Sequence, residues 1–219
     1  MTEALIAGTA LGKYVLERCL GRGGFCESWL ARHATLPGLF VSIKVALDPA
    51  YRELLRTEGV ILAQLRHPGI VRLIDADVDG PLPYVVQEYI AGSTLRTFLT
   101  EGGRVFVGLA LDLVGQLLEA LSEAHSQGVV HRDIKPENLI VDDAGRLHVL
   151  DFGLGQLEER SVRSLLVANS MKTSLGTSIA GTVSYMSPEQ QRGEPADARA
   201  DLYAVGVVLF ELVTGGCPD

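Results

Sequence analysis

Short alternations of apolar and polar positions fill the first third of the chain. Residues 14–20, 27–32 and 40–46 each repeat with a period of two and are separated by Gly or Pro, which predicts an antiparallel meander. One helix interrupts it: Asp48 can cap, Pro49 suits a first turn, and Leu54, Leu55, Ile61, Leu62 and Leu65 recur at three- and four-residue spacing until His67-Pro68-Gly69 stops the run. Two more strands are predicted at 71–76 and 84–87. From Thr94 onward the period lengthens and helices dominate. The clearest covers 106–127, where Phe106, Ala110, Leu113, Leu117, Leu121 and Ala124 share a face and Gly128 ends the pattern. Two short apolar strands are predicted at 139–141 and 147–150. Residues 202–213 are apolar nearly all round, the pattern of a helix buried on every side. By contrast, 161–178 is rich in Ser and Thr with weak periodicity and reads as a long loop. The pattern predicts an α+β chain, with a sheet-rich part at about 13–87 and a helical part from about 92 to the last residue.

Composition narrows the functional classes. With 47% hydrophobic residues and 219 residues in all, the chain can bury a substantial core, so disorder is excluded as a description of the whole. A net charge of −8 and a pI near 5.1 argue against a dedicated nucleic-acid binder, which needs a basic face to displace counterions. Cys19, Cys26 and Cys217 are widely spaced and odd in number, which gives no disulfide framework or zinc site and makes a reducing, cytoplasmic setting the expectation. No apolar run reaches the ~18 to 20 residues of a membrane span, and the acidic start of 1–12 reads as a short tail, not an export signal.

Four stretches carry candidate chemistry. Gly21-Arg22-Gly23-Gly24-Phe25-Cys26 is a glycine-rich turn between two predicted strands. It is either a plain hairpin turn or a loop whose bare backbone N–H groups approach phosphate oxygens. A dinucleotide-binding fold would need a helix after the turn, where residues 27–32 read as a strand. Val41-Ser42-Ile43-Lys44 puts a cation on an apolar strand, either as a surface residue with a buried stem or as a phosphate-pairing charge. The sequence holds few lysines (Lys13, Lys44, Lys135 and Lys172), and the following helix offers Glu58 as a counterion. His131-Arg132-Asp133-Ile134-Lys135-Pro136-Glu137-Asn138 wedges polar and charged groups between a long helix and an apolar strand. Burying them is costly unless they serve one another or a ligand. Asp151-Phe152-Gly153 puts a carboxylate at a strand end beside a glycine, which suits a metal ligand as well as an ordinary turn.

In this order and spacing the four stretches closely resemble the eukaryotic-type protein kinases, in particular the serine/threonine branch and its bacterial members. Lys135, two residues after Asp133, favours serine/threonine over tyrosine acceptors, and Ser187-Pro188-Glu189 resembles the Ala-Pro-Glu of the family. The resemblance implies a bilobal kinase-like fold, with an N-lobe at 13–87, a hinge at 88–92, and a mainly helical C-lobe at 93–219 that carries an activation segment at 151–189. It implies ATP and Mg²⁺ as cofactors and a protein with a Ser/Thr hydroxyl as substrate. The glycine loop from Gly21 to Cys26, with Ser28, Ser42, Gln87, Glu88, Ile90 and Ile140, would surround the nucleotide, Gln87 as gatekeeper and 88–90 as the hinge that meets adenine. Lys44, braced by Glu58, would hold the α and β phosphates. Asn138 and Asp151 would bind the magnesium ions, Asp133 would accept or orient the substrate hydroxyl proton, Lys135 would neutralise the migrating phosphoryl group, and Asp201 would brace the catalytic loop. An activation segment far beyond the ~4 to 6 residues of an ordinary connection points to regulation. Arg132 is placed to grip a phosphate formed by autophosphorylation among Thr173, Ser174, Thr177 and Ser178.

Several positions depart from the family pattern. Cys26 replaces the third glycine, and Ser28 and Ser42 stand where small apolar residues usually sandwich adenine. Gln156 stands where many phosphate-gripping kinases carry a basic residue. The family continues past this last helix with several more, which cover its flank and supply an arginine to Glu189. The expectation is therefore a missing segment or a partner over apolar surface near Leu209, Phe210 and Leu212. The alternative reading is a pseudokinase, a nucleotide-responsive interaction module with little phosphoryl transfer.

Overall fold

A computed structural model describes residues 5–23, 26–152 and 183–218. The chain divides into two compact units. One runs to Gln64 and takes up Val71–Ile90; the other comprises Leu65–Ile70 and the chain from Ala91 onward. The fold is α+β.

The first unit is a six-stranded antiparallel sheet with one helix. Its strands are β1 (Ala10–Leu11), β2 (Tyr14–Arg22), β3 (Cys26–His33), β4 (Phe40–Ala46), β5 (Leu73–Asp77) and β6 (Tyr84–Glu88), in the order β1-β2-β3-β4-β6-β5. The meander expected from the alternation is present, and it is longer at its start. Part of the expected tail pairs as β1, with Ala10 opposite Val15 and Leu11 opposite Tyr14. Period two assigns the two faces. Tyr14, Leu16, Trp29, Ala31, Val41, Ile43, Val45, Tyr84 and Val86 form an apolar core on one side. The opposite side carries Cys26, Ala46 and Val85, which pack against Leu55 of the helix α1 (Arg52–Gln64). The expected first turn at Pro49 is a separate 3₁₀ turn, Pro49–Tyr51, ahead of α1, with Asp48 Oδ1 accepting from the Ala50 N–H at 2.8 Å. Leu54, Leu55, Gly59 and Leu62 are buried along α1, and Glu58 is buried among them.

In the second unit, β7 (Gly92–Thr94), β8 (Leu139–Asp142) and β9 (Leu147–Val149) form a three-stranded antiparallel sheet. Among the described residues its helices are α2 (Leu95–Gly102), α3 (Val107–Ser126), the short α4 (Pro188–Gln191) and α5 (Ala198–Thr214). Gly128 stops α3 as its pattern requires, at φ +73, a conformation in which any Cβ would be strained. Phe106 is a correction: it lies just outside α3 and is exposed, so the buried stripe starts at Ala110. A second correction concerns α5. Ala204, Val205, Val208 and Leu212 are buried, but Leu202, Tyr203 and Phe210 are 43–49% exposed, so the helix is apolar on both a covered and an open face. Leu212, expected among the exposed positions, is fully buried, while Phe210 is exposed as expected. Composition alone registers the apolar character of the helix and cannot assign a side to it.

Candidate active site

In the first unit the face of the sheet turned toward α1 gathers most of the residues singled out in the sequence. Register places Ser28 opposite Lys44, Leu30 opposite Ser42, and Ser42 opposite Gln87, so Cys26, Ser28, Ser42, Lys44 and Gln87 share one side. Glu58 arrives from α1 between Leu55 and Leu62. Lys44 and Gln87 are 5% exposed and Glu58 is fully buried. Lys44 Nζ lies 3.1 Å from each Glu58 oxygen, and Gln87 Nε2 donates to Glu58 Oε1 at 3.0 Å. A buried carboxylate is tolerated because an ammonium and an amide both serve it. Gly21 and Arg22 end β2, Gly23 donates its N–H to the Cys26 carbonyl at 2.9 Å, and Cys26 opens β3. Gly24 and Phe25 lie outside the described residues. Arg22 pairs with Glu27, which also accepts from the Trp29 indole. Glu88 ends β6, exchanging hydrogen bonds with the Arg72 backbone, and Ile90 follows half-buried.

The second unit builds the polar octet on backbone. Asp201, in the first turn of α5, is fully buried and accepts from the N–H groups of His131 at 2.9 Å and Arg132 at 2.7 Å, while His125 Nε2 lies 2.7 Å from it. Burial pushes the Asp201 carboxyl upward, but the His125 contact and the two backbone N–H groups outweigh it and hold it below the usual carboxylate value. Arg132 has φ +67, a left-handed conformation that costs a non-glycine residue about 1–3 kcal/mol and persists where surroundings over-determine it. They do here: its N–H is held by Asp201, its carbonyl accepts from Gln190 Nε2 at 2.9 Å, and its guanidinium donates to the Ala196 carbonyl.

Past that strained residue, Asp133 is buried. Its side chain receives the Asn138 amide at 2.9 Å and the Lys135 ammonium at 2.8 Å, and the same amide donates to the Asp133 carbonyl at 2.8 Å. His131 fixes the next connection. Its Nε2 lies 2.7 Å from the Leu150 carbonyl, which can only accept, and its Nδ1 accepts from the Asp133 N–H, so the ring proton sits on Nε2. The Leu150 N–H donates to the Asn138 carbonyl. Asp151 therefore leaves a residue pinned at both backbone groups, with φ +60 at Asp151 itself and the buried Phe152 ring 4.6 Å from the His131 ring. These contacts bring Asp133, Lys135, Asn138 and Asp151 into one neighbourhood. Ile140 lies half-buried on β8, opposite Thr94 and His148. Gly153, Gln156, Thr173, Ser174, Thr177 and Ser178 lie outside the described residues.

The protein kinase domain family matches residues 14–218. This chain belongs to that family. Among its relatives it is 38% identical over 212 residues to a Streptomyces coelicolor protein named as a probable serine/threonine-protein kinase, covering 93% of this chain and 30% of that one. It is 36% identical over 214 residues to the serine/threonine-protein kinase PknB of Mycobacterium leprae (94% and 33%), and 35% identical over 219 residues to the serine/threonine-protein kinase PrkC of Bacillus subtilis (98% and 32%). The chain thus spans about a third of the length of the curated relatives it matches. The α+β kinase-domain architecture and the serine/threonine-kinase resemblance are borne out by these matches.

The donor set of this kinase domain fits a hard divalent cation. Asn138 spends its amide nitrogen on Asp133, which turns its side-chain oxygen away from that residue, and Asp151 adds a carboxylate. Among the described residues no group of three or more His, Cys, Asp or Glu could hold a metal by itself, and no helix is long and apolar enough to cross a membrane.

One further cluster escaped the reading of the sequence. Arg96 of α2 donates to Glu137, to Glu211 of α5 and to the Tyr185 oxygen, each at 2.7 Å, and the Tyr185 hydroxyl donates to Glu211. Burial together with the Glu211 carboxylate pushes the Tyr185 hydroxyl well above the usual tyrosine value. The available signal was Glu211, a carboxylate set within an otherwise apolar helix.

Proposed function

We propose that this chain is a catalytic domain that transfers the γ-phosphoryl group of ATP to serine or threonine hydroxyls of proteins. The observation that carries the reading is the buried Asp133, held by Asn138 and Lys135 and linked to the residue before Asp151 by the contacts of His131 and Asn138 with Leu150. Asp133 accepts or orients the proton of the acceptor hydroxyl. Lys135, already 2.8 Å from that carboxylate, neutralises negative charge as the phosphoryl group moves. Asn138 and Asp151 hold magnesium, which when bound neutralises phosphate charge. Lys44, oriented by Glu58, holds the α and β phosphates, and the β2–β3 turn from Gly21 to Cys26 covers them. Phosphoryl transfer asks the protein mainly for charge stabilisation and alignment, and these residue types supply both. The regulatory part of the reading is autophosphorylation among Thr173, Ser174, Thr177 and Ser178, the phosphate then being gripped by Arg132.

Ser28 and Ser42 support a second reading. Both lie half-buried on the face that bears Lys44, where hydroxyls weaken an apolar seat for adenine. That favours a nucleotide-responsive module with little transfer. Incubation with radiolabelled ATP, Mg²⁺ and a basic acceptor protein, followed by mass mapping, separates the two. The kinase reading expects incorporation that falls at least about a hundredfold in Asp133→Asn, together with phosphate mapped between 161 and 182. Equal background from both proteins favours the module, and incorporation without phosphate in that interval removes the regulatory part.

A further inference from the structure

Glu58 Oε1 is shared by two donors of different kinds. The Lys44 ammonium reaches it at 3.1 Å, and the Gln87 amide reaches the same oxygen at 3.0 Å. Lys44 also lies 3.1 Å from Oε2, so the ammonium straddles the carboxylate while the amide holds one corner of it. All three side chains are buried, and they come from three elements: β4, α1 and β6.

An ammonium is a point charge, and even astride both oxygens it constrains the terminal torsion of a carboxylate, which is broad and roughly two-fold, only loosely. A second donor from a different direction removes the freedom that remains. Gln87 can supply it because its strand is tied on both edges: it stands opposite Ser42 of β4 and Leu73 of β5. The amide also donates to an ionised group, which makes the bond stronger than an ordinary neutral one.

We propose that Gln87 is a positioning residue that fixes Glu58, and through Glu58 the amine of Lys44, in the arrangement used for phosphate. This rests on the kinase reading and adds to it a source for the alignment of the pair within the first unit itself. The family resemblance implies a place for Gln87 beside adenine. The hydrogen bond gives it a second task, directed at the phosphate end of the nucleotide.

The two tasks separate kinetically. Gln87→Met keeps length and flexibility and removes the donor. If Gln87 acts through Glu58, kcat falls about tenfold while KM for ATP stays within about threefold, because orientation is lost and base contact is kept. In a Glu58→Leu background, which offers the amide no acceptor, the same substitution then changes kcat by less than about twofold. A rise in KM at unchanged kcat, or losses that multiply in the double variant, overturns the proposal.

A second measurement needs no catalysis. Urea unfolding of the full chain is run on wild type, both single variants and the double variant, and the shift in midpoint caused by Gln87→Met is expected to shrink at least threefold once Glu58 is replaced by Leu. Additive shifts overturn the proposal even if the chain proves unable to transfer phosphate. A chain that shows the coupling without transfer retains the positioning role and loses the kinase reading.

Discussion

Among the described residues two carboxylates are fully buried, one in each unit, and they are held by different means. Asp201 is gripped by a histidine and by the backbone N–H groups of His131 and Arg132, in a loop where Arg132 is forced into a left-handed conformation. Glu58 is gripped by two long side chains, Lys44 and Gln87, from separate strands. Backbone donors cannot leave without unfolding the loop that bears them. Side-chain donors can leave by a change of rotamer. The first arrangement suits a brace that holds reacting groups in one geometry, and the second suits a contact that can be made and broken while the fold persists.

The strongest way to break the contrast is Asp201→Ala. It removes the acceptor for both N–H groups and one of the contacts that over-determine Arg132, so the loop must pay desolvation and strain together. Loss of about 3–5 kcal/mol is expected, measured as the free energy of unfolding in urea. A loss below about 1 kcal/mol would mean that the loop holds its shape by other contacts, and the two carboxylates would no longer differ in kind.

Glu58→Gln comes next. It takes the Glu58 charge away from the Lys44 ammonium, but a lysine stem can swing its head toward other partners or water, so part of the penalty is relieved. Unfolding free energy should fall by about 2 kcal/mol, less than for Asp201→Ala, while phosphoryl transfer falls by at least about a hundredfold. A stability loss equal to that of Asp201→Ala would show that the side-chain contact is as rigid as the backbone one.

The same difference governs what could be read before the coordinates. Asp201 as a brace came from the family pattern, and its two backbone partners lie in an octet whose polarity between core elements already marked it. Glu58 stood out because lysines are few and α1 has a readable period. The bond from Gln87 to Glu58 was not legible: it depends on the register that sets Gln87 opposite Ser42, and a one-residue slip would send Gln87 to the other face of the sheet. Nor was the Arg96 cluster, because Glu211 lies 115 residues further along the chain and no local pattern links them. The short helix α2 went unnamed because two buried leucines, Leu95 and Leu99, are too little for a period to emerge. The open face of α5 was missed because apolar content does not reveal which side is covered.

Acid sharpens the comparison with the smallest effect. Asp201 binds its proton less readily folded than unfolded, where the ordinary value of 3.8 applies. Its contribution is therefore fully present above about pH 4 and is lost as pH falls through the lower folded value, because the unfolded chain takes up the proton first. Asp75 and Asp142 are also held below their usual values, so wild type loses stability in acid for several reasons. The part due to Asp201 is isolated with Asp201→Asn, which cannot titrate there. Urea midpoints taken from pH 6 downward should fall less steeply below pH 4 in this variant than in wild type. Parallel profiles would mean that the N–H groups of His131 and Arg132 do not favour the charged carboxylate, and the distinction between a brace held by backbone and a contact held by side chains would lose its electrostatic basis.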